Sequence, residues 1–300
     1  MPVIQHVVII HGLADVSKSW NRLKPMLSGK GFIPYFFEYP TFKNDLNIPK
    51  IASRLSEFVK QQIGSSPFQI IAHSQGGLIS EWYDAFENSG SLKRVVTIAT
   101  PFHGNMIPAL APRALVRHLP FSRQQIKGLG CYSEIIQQLL LCRLKNSSEY
   151  ISFIGLTGKI FGIEGDRLVS TCEANRNATI YRSGKLIAAP EPATVIYMKK
   201  SHWPLSYVRK LHEPENEFAS RLLLALDGRP QPPNILRPTQ CAFVIRGSYI
   251  DSLTGHGKAV LNKPTWDKNY RLLYVNAHET EIKIAGQKID LQPGRFTYYV

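Results

Sequence analysis

The stretch Phe68–Gly77 constrains the fold more than any other part of the sequence. It reads Phe-Gln-Ile-Ile-Ala-His-Ser-Gln-Gly-Gly: an apolar run, then a turn, then a segment that begins a helix at Gln75. A serine on a sharp turn between a strand and a helix is held on a strained backbone with its oxygen exposed. Gly76 and Gly77 allow the helix backbone to pass close to the strand. The sequence therefore predicts a strand, a tight turn centred on Ser74, and a helix.

Apolar strands alternate with amphipathic helices along most of the chain. Runs rich in β-branched and aromatic residues predict strands at 6–10, 31–38, 68–73, 92–100, 151–156 and 194–198. Apolar residues three to four positions apart predict helices over 51–63 and 213–226, and a further helix is expected over 19–27. This alternation is typical of a mostly parallel sheet with helices on both faces, so we predict an α/β unit over residues 1–228.

The alternation is interrupted at residues 104–148, which we interpret as a helical cap or lid inserted after a strand. This insertion contains six Lys or Arg residues and one acidic residue. It also carries the apolar residues Leu110, Leu115, Val116, Leu119, Phe121 and the run 139–141. A basic and apolar lid is suited to an anionic lipid surface. The same apolar side chains are equally compatible with packing of the lid on the core.

A proline-rich segment, residues 229–238, predicts a semi-rigid linker. Beyond it, short strands are predicted at 241–245, 271–275, 281–285 and 296–300, with Asn, Gly and Pro at the turns between them. We therefore predict a small antiparallel β domain over residues 239–300.

The chain carries a formal net charge of +14, which favours an acidic partner such as anionic lipid, nucleic acid or an acidic substrate. No basic motif interleaved with aromatic residues is present, so we expect no nucleic-acid partner. No apolar run approaches the ~18 residues of a membrane span, and no cleavable leader is recognised, so we expect a cytoplasmic location, with signal-independent export left open. The four cysteines have no metal-binding spacing, and free thiols are favoured over a bridge between Cys131 and Cys142.

Four motifs in order resemble the α/β-hydrolase lipases. They are His-Gly-Leu at 11–13, Ala-His-Ser-Gln-Gly-Gly at 72–77, Thr-Ile-Ala-Thr-Pro-Phe-His-Gly at 97–104 and Gly-Asp-Arg-Leu-Val at 165–169. The third is similar to an element of bacterial triacylglycerol lipases and glycosylphosphatidylinositol deacylase-like esterases, with Phe102 inserted before His103. The resemblance covers residues 3–226 and implies an α/β-hydrolase fold.

In such hydrolases the catalytic residues follow in the order serine, acid, histidine. Ser74 is the expected nucleophile. His202 fits the base because it follows the last predicted strand of the sheet and precedes the last helix. Asp166 fits the acid that orients the imidazole, and Glu164 and Glu173 are the competing acids.

Other histidines have alternative roles. His73 is expected to pack beside the nucleophile, and His11 to brace the loop after the first strand; both are also candidates for lining the substrate pocket. His103 is a candidate pocket residue and a less favoured base, whereas His212 is expected at the surface. For the oxyanion, the expected donors are the backbone N–H groups of Leu13 and Gln75.

These residues imply a serine hydrolase that cleaves carboxylic esters of lipids through an acyl-enzyme, without a cofactor or metal. Phospholipase or lysophospholipase activity is the first expectation within that class, and an anionic membrane surface is a candidate partner. One alternative is a thioesterase or small-ester esterase. Another is an inactive hydrolase scaffold that binds a membrane or a protein, against which the complete set of serine, acid and histidine argues.

Overall fold

The computed structural model describes residues 5–42, 45–106, 121–143, 148–182, 185–187, 193–211, 213, 215–255, 259–265, 269–278 and 281–300. The strands are β1 (His6–Ile10), β2 (Ile33–Phe37), β3 (Phe68–His73), β4 (Leu92–Ile98), β5 (Glu149–Gly155), β6 (Gly158–Ile160), β7 (Ile163–Gly165), β8 (Ala178–Arg182), β9 (Lys185–Ile187), β10 (Thr194–Met198), β11 (Gln240–Arg246), β12 (Leu253–Thr254), β13 (Leu261–Pro264), β14 (Tyr270–Asn276), β15 (Ile282–Ile284), β16 (Gln287–Ile289) and β17 (Phe296–Tyr299). The α-helices are α1 (Leu23–Ser28), α2 (Ile48–Gln62), α3 (Gln75–Phe86), α4 (Arg123–Gly128), α5 (Glu134–Cys142), α6 (Thr171–Ala174), α7 (Pro204–Val208) and α8 (Glu217–Leu226), and short 3-10 helices lie at Ser17–Trp20 and Gly247–Ser252.

Six strands form a fully parallel sheet in the order β2-β1-β3-β4-β5-β10. Its central strands are apolar on both faces because helices cover both sides. In β1, Val8 and Ile10 face the core beneath α2 and α3, whereas Val7 and Ile9 face the core that includes α1 and α8. The predicted α/β fold class is confirmed.

Two helix boundaries differ from the prediction. The expected continuous helix over 19–27 is instead a 3-10 turn at Ser17–Trp20 followed by α1. The last helix of this unit begins at Glu217 rather than at 213, because the Asn216 side chain accepts a hydrogen bond from the Ala219 N–H and caps the helix there.

A second six-stranded sheet has the order β13-β14-β11-β17-β8-β9. The pairs β13–β14, β11–β14 and β8–β9 are antiparallel, whereas β17 pairs in parallel with both β11 and β8. The hairpin β8–β9 precedes the linker in sequence, so this sheet combines strands from both sides of residues 229–238. The division into units at that linker stays a prediction.

The described part of the insertion packs on the core. Leu139 and Leu140 of α5 are buried, whereas Leu141 is exposed. Leu110, Leu115, Val116 and Leu119 lie outside the described residues, so the lid function stays a prediction. All four cysteines are free thiols, as favoured from the sequence. None of the described helices has the length and apolar character needed to cross a bilayer.

Candidate active site

The turn after β3 places Ser74 at the carboxyl edge of the parallel sheet. Ser74 has φ of 52° and ψ of −122°, a left-handed conformation that side chains rarely adopt and that tertiary packing must hold in place. A Cβ on Gly76 would lie 2.7 Å from the carbonyl oxygen of His11, and a Cβ on Gly77 would overlap Thr100. The two glycines therefore let α3 start directly against the neighbouring strands.

A chain of two hydrogen bonds connects Ser74, His202 and Asp166. His202 Nε2 is 3.1 Å from Ser74 Oγ, and His202 Nδ1 is 2.9 Å from Asp166 Oδ2. The other carboxylate oxygen, Asp166 Oδ1, accepts from the backbone N–H groups of Leu168 and Val169 at 2.9 and 2.7 Å. These bonds fix the carboxylate so that only Oδ2 faces the imidazole.

The loop that carries Asp166 begins after a hairpin, β6–β7, that the sequence analysis missed. Asp166 follows β7 directly, and its backbone oxygen accepts from the His202 N–H at 3.0 Å. The loops after β7 and β10 are thus joined through both backbone and side chain.

The competing acids are engaged elsewhere. Glu164 accepts from the N–H and hydroxyl of Thr239 at 2.8 and 2.6 Å and so faces the second sheet. Glu173 closes a capping box with Ser170 at the start of α6 and accepts from the Met106 N–H at 2.7 Å. Burial raises the pKa of Glu173 to about 7. Neither carboxylate forms a described hydrogen bond with His202.

The loop after β1 lies against the serine. A Cβ on Gly12 would be 2.9 Å from Ser74 Cβ, so Leu13 follows a backbone that touches the nucleophile. Gln75 is the first residue of α3 and is fully buried. Among the described residues, no backbone hydrogen bond is recorded for the Leu13 or the Gln75 N–H.

His73 and His11 hold the loops around Ser74 in place. His73 Nε2 donates to the backbone oxygen of His202 at 2.8 Å, and burial, with the neighbouring His202, lowers the pKa of His73 well below its usual value. His73 therefore stays neutral while it holds the loop that carries His202. His11 Nδ1 donates to the Gly12 oxygen at 2.9 Å, and its ring stacks on Tyr39 at 4.3 Å.

His103 is not brought together with Ser74. It is buried, its Nε2 donates to the Asn175 oxygen at 2.8 Å, and its Nδ1 accepts from the Tyr298 hydroxyl at 2.7 Å. Both ring nitrogens are therefore used, one by the segment between α6 and β8 and the other by β17 of the second sheet. His212 lies outside the described residues.

A buried ionic cluster behind the site was missed by the sequence analysis. Glu81 of α3 accepts from Arg143 Nε at 2.9 Å and from Arg176 Nε at 2.8 Å, and all three residues are buried. Arg176 also lies 3.7 Å above the centre of the Tyr150 ring. The one available signal was an acid within an apolar helical segment, which does not identify its partners.

Comparison with known proteins identifies the fold. No family model matches the chain, and no curated protein matches it in sequence. Among solved structures, the phospholipase PlaB from Legionella pneumophila matches with a TM-score of 0.77 and 13% identity over 99% of this chain and 92% of that chain. The mature lipase BlEst2 from Bacillus licheniformis matches with a TM-score of 0.54 and 17% identity over 76% of this chain and 94% of that chain. The metagenomic carboxyl esterase MGS0156 matches with a TM-score of 0.50 and 14% identity over 67% of this chain and 65% of that chain.

This chain has the α/β-hydrolase fold. The match to PlaB extends over 99% of the chain and so includes the second sheet.

Proposed function

We propose that this protein is a serine hydrolase that cleaves carboxylic esters of lipids. The observation that carries the proposal is the row of Ser74, His202 and Asp166 on a strained strand-to-helix turn, with 3.1 and 2.9 Å between the successive partners. The likeness in fold to a phospholipase, a lipase and a carboxyl esterase supports the same class of chemistry.

The proposed reaction begins with attack of Ser74 Oγ on the ester carbonyl carbon, while His202 Nε2 takes the hydroxyl proton. Asp166 holds the imidazole with its Nδ1 proton toward the carboxylate and stabilises the imidazolium that forms. His202 then protonates the leaving alcohol, and an acyl-enzyme remains. Water, activated by the same imidazole, releases the fatty acid and regenerates Ser74.

Two backbone N–H groups, those of Leu13 and Gln75, are proposed to stabilise the oxyanion. Gln75 is the first residue of α3, where the helix dipole favours negative charge near its N–H. The loop after β1, which carries Leu13, contacts Ser74 from the other side. Each such donor contributes about 10²–10³ in turnover in enzymes of this type.

Within this class we favour a phospholipid or lysophospholipid substrate. The net charge of +14 suits an anionic lipid surface, and the structure that matches over 99% of this chain is that of a phospholipase. Thioesterase or small-ester esterase activity is the alternative, and preference for a soluble short-chain ester over phospholipid would favour it.

The test compares fatty-acid release from phosphatidylglycerol vesicles with hydrolysis of a soluble short-chain ester. Ser74→Ala is expected to lower turnover by about a million-fold, to background, on both. Ser53→Ala, which removes an exposed hydroxyl on α2, is the matched control and is expected to leave both rates unchanged. Retention of activity in Ser74→Ala, or inactivity of the unmodified protein on every ester, would contradict the proposal.

A further inference from the structure

An exposed surface that is both apolar and basic lies beside the candidate active site. It is formed by the contact between α7 and the 3-10 helix Ser17–Trp20, with their flanking residues. Its exposed apolar members are Trp203, Leu205 and Val16, with 63%, 57% and 44% of their surfaces accessible. We call it the docking surface, and its exposed basic members are Arg22, Arg209 and Lys210.

The docking surface is continuous with the catalytic residues in sequence and in space. Trp203 follows His202 directly, and the two rings meet edge to face with their centres 6.2 Å apart. Val16 follows Leu13 by three residues on the loop that contacts Ser74. Whatever binds this surface is therefore held close to His202.

A cavity of about 610 Å³ lies beside this contact, between the start of α1 and the end of α7. It is lined by Arg22, Pro25, Met26, Val208, Arg209, Lys210 and Leu211. Arg209 follows Leu205 by four residues and donates its N–H to the Leu205 oxygen at 3.1 Å, so both lie on the same side of this turn of helix. Leu205 and the basic cavity therefore share one side of α7.

The charge of this cavity is only partly compensated. Lys210 Nζ pairs with Glu213 at 2.7 Å. Within the described part of the chain, Arg22 and Arg209 form no ion pair, and none of the lining residues is acidic. Two guanidinium groups without carboxylate partners are suited to a phosphate group, which arginine binds with paired N–H donors.

We propose that the docking surface binds an anionic phospholipid membrane. A headgroup phosphate occupies the cavity against Arg22 and Arg209, while Trp203, Leu205 and Val16 enter the boundary between headgroups and acyl chains. Tryptophan and leucine are suited to that depth, and nearby cations are attracted by anionic lipid. An acidic protein partner would use the charges but would leave three adjacent apolar side chains without a role. The proposal rests on the proposed function for its substrate, because it places a lipid ester next to Ser74.

The test measures sedimentation with vesicles in a Ser74→Ala background, so that lipid is not consumed. Vesicles of phosphatidylcholine alone are compared with vesicles of equal parts phosphatidylcholine and phosphatidylglycerol. We expect binding to the anionic vesicles, and we expect the pair Arg22→Gln and Arg209→Gln to weaken it about 25-fold, at about fivefold for each charge. The matched control is the pair Lys60→Gln and Lys93→Gln, which removes two charges near the end of α2 and the start of β4, at the amino edge of the sheet.

The apolar contribution is tested with Leu205→Ser, which is expected to weaken binding about tenfold. Phe86→Ser is its control, because Phe86 is similarly exposed, at 50%, and ends α3 at the opposite edge of the sheet. Lipids with brominated acyl chains are also expected to quench the fluorescence of Trp203. The Trp203 signal is obtained by subtracting the fluorescence of Trp203→Phe from that of the parent protein. Circular dichroism and thermal unfolding check that each variant is folded.

Several outcomes would overturn the proposal. Equal binding to neutral and anionic vesicles would remove the role of the phosphate site, and equal weakening by the Lys60 and Lys93 pair would show charge attraction without a site. Absence of vesicle binding would reject docking even if the unmodified protein cleaves soluble esters. Conversely, specific docking by a protein that cleaves no ester would reject the proposed function and leave the docking surface intact.

Discussion

Replacing Asp166 with asparagine tests the candidate triad with little change in shape. Asp166 Oδ1 accepts from two backbone N–H groups at 2.9 and 2.7 Å. An asparagine must keep its amide oxygen on those two donors, because its NH₂ group cannot accept from them. The NH₂ group then faces His202 Nδ1 and forces that nitrogen to be an acceptor. The single imidazole proton moves to Nε2, which lies 3.1 Å from Ser74 Oγ and can then no longer accept the serine proton.

The expected cost is a fall in kcat of about 10⁴, the scale seen when a triad imidazole is held in the wrong tautomer. This corresponds to about 5 kcal/mol of activation free energy at 1.36 kcal/mol per factor of ten. Stability is expected to change little, because the two N–H groups keep their acceptor. Asp166→Ala would strand both donors in a buried loop and lower the free energy of unfolding by about 1–3 kcal/mol for each.

The assay combines kcat on a soluble short-chain ester with thermal unfolding of Asp166→Asn, Asp166→Ala and the surface control Asp227→Asn. Asp227 forms a surface ion pair with exposed Arg229, so its replacement is expected to change neither quantity. A kcat within tenfold of the unmodified value in Asp166→Asn would refute the tautomer argument. Equal destabilisation by asparagine and alanine would refute the assigned acceptor role of Oδ1.

Three further predictions concern buried groups around the site. Glu81→Gln removes the carboxylate shared by two buried guanidinium groups and is expected to lower the free energy of unfolding by about 3–5 kcal/mol. Glu213→Gln, at the exposed pair with Lys210, should lower it by at most about 1 kcal/mol. Similar urea midpoints for the two variants would contradict this prediction. Glu173 has its pKa raised from 4.5 to about 7, so the folded state keeps a proton that the unfolded chain releases, and stability falls as pH rises through that window. Compared with Glu173→Gln, the unmodified protein should lose about 2.5 kcal/mol more between pH 5 and pH 8, and parallel stability curves would argue against a raised pKa. Tyr298→Phe leaves Nδ1 of buried His103 without its hydroxyl donor and should destabilise by about 1–3 kcal/mol, a loss that calorimetry would detect and that an unchanged melting temperature would refute.

The parallel sheet was predictable, and the candidate triad could be proposed, because the signals for both lie in short stretches of sequence. Continuous apolar runs identify strands that are buried on both faces, and Ser74 lies where such a run meets a helix. His202 and Asp166 follow from their positions after later strands, since the carboxyl ends of parallel strands meet at one edge of the sheet.

The remaining features depend on pairings between distant residues. The strand β8 carries no signal that its partner is β17, more than one hundred residues later, and its hairpin with β9 is complete without that partner. The Glu81 cluster could not be predicted from the sequence either, because Arg143 and Arg176 lie in separate segments and resemble ordinary surface cations. Burial of these groups is decided by tertiary packing, which composition does not encode.

The second sheet bonds to the very loops that carry the candidate catalytic residues. The Ser170 hydroxyl lies 2.9 Å from the Tyr274 hydroxyl, and Asn175 Nδ2 donates to the Gly294 oxygen at 2.8 Å. Both belong to the segment that starts at Asp166, and His103 adds its bond to Tyr298 from the loop after β4. A chain ending before the linker would lose the Tyr274, Gly294 and Tyr298 partners, so Ser170, Asn175 and His103 would each lose one of their hydrogen bonds. The second sheet contributes none of the candidate triad residues, but it completes the hydrogen bonding of the segment that positions Asp166. We therefore expect the Asp166 loop to hold its geometry only when the second sheet is present.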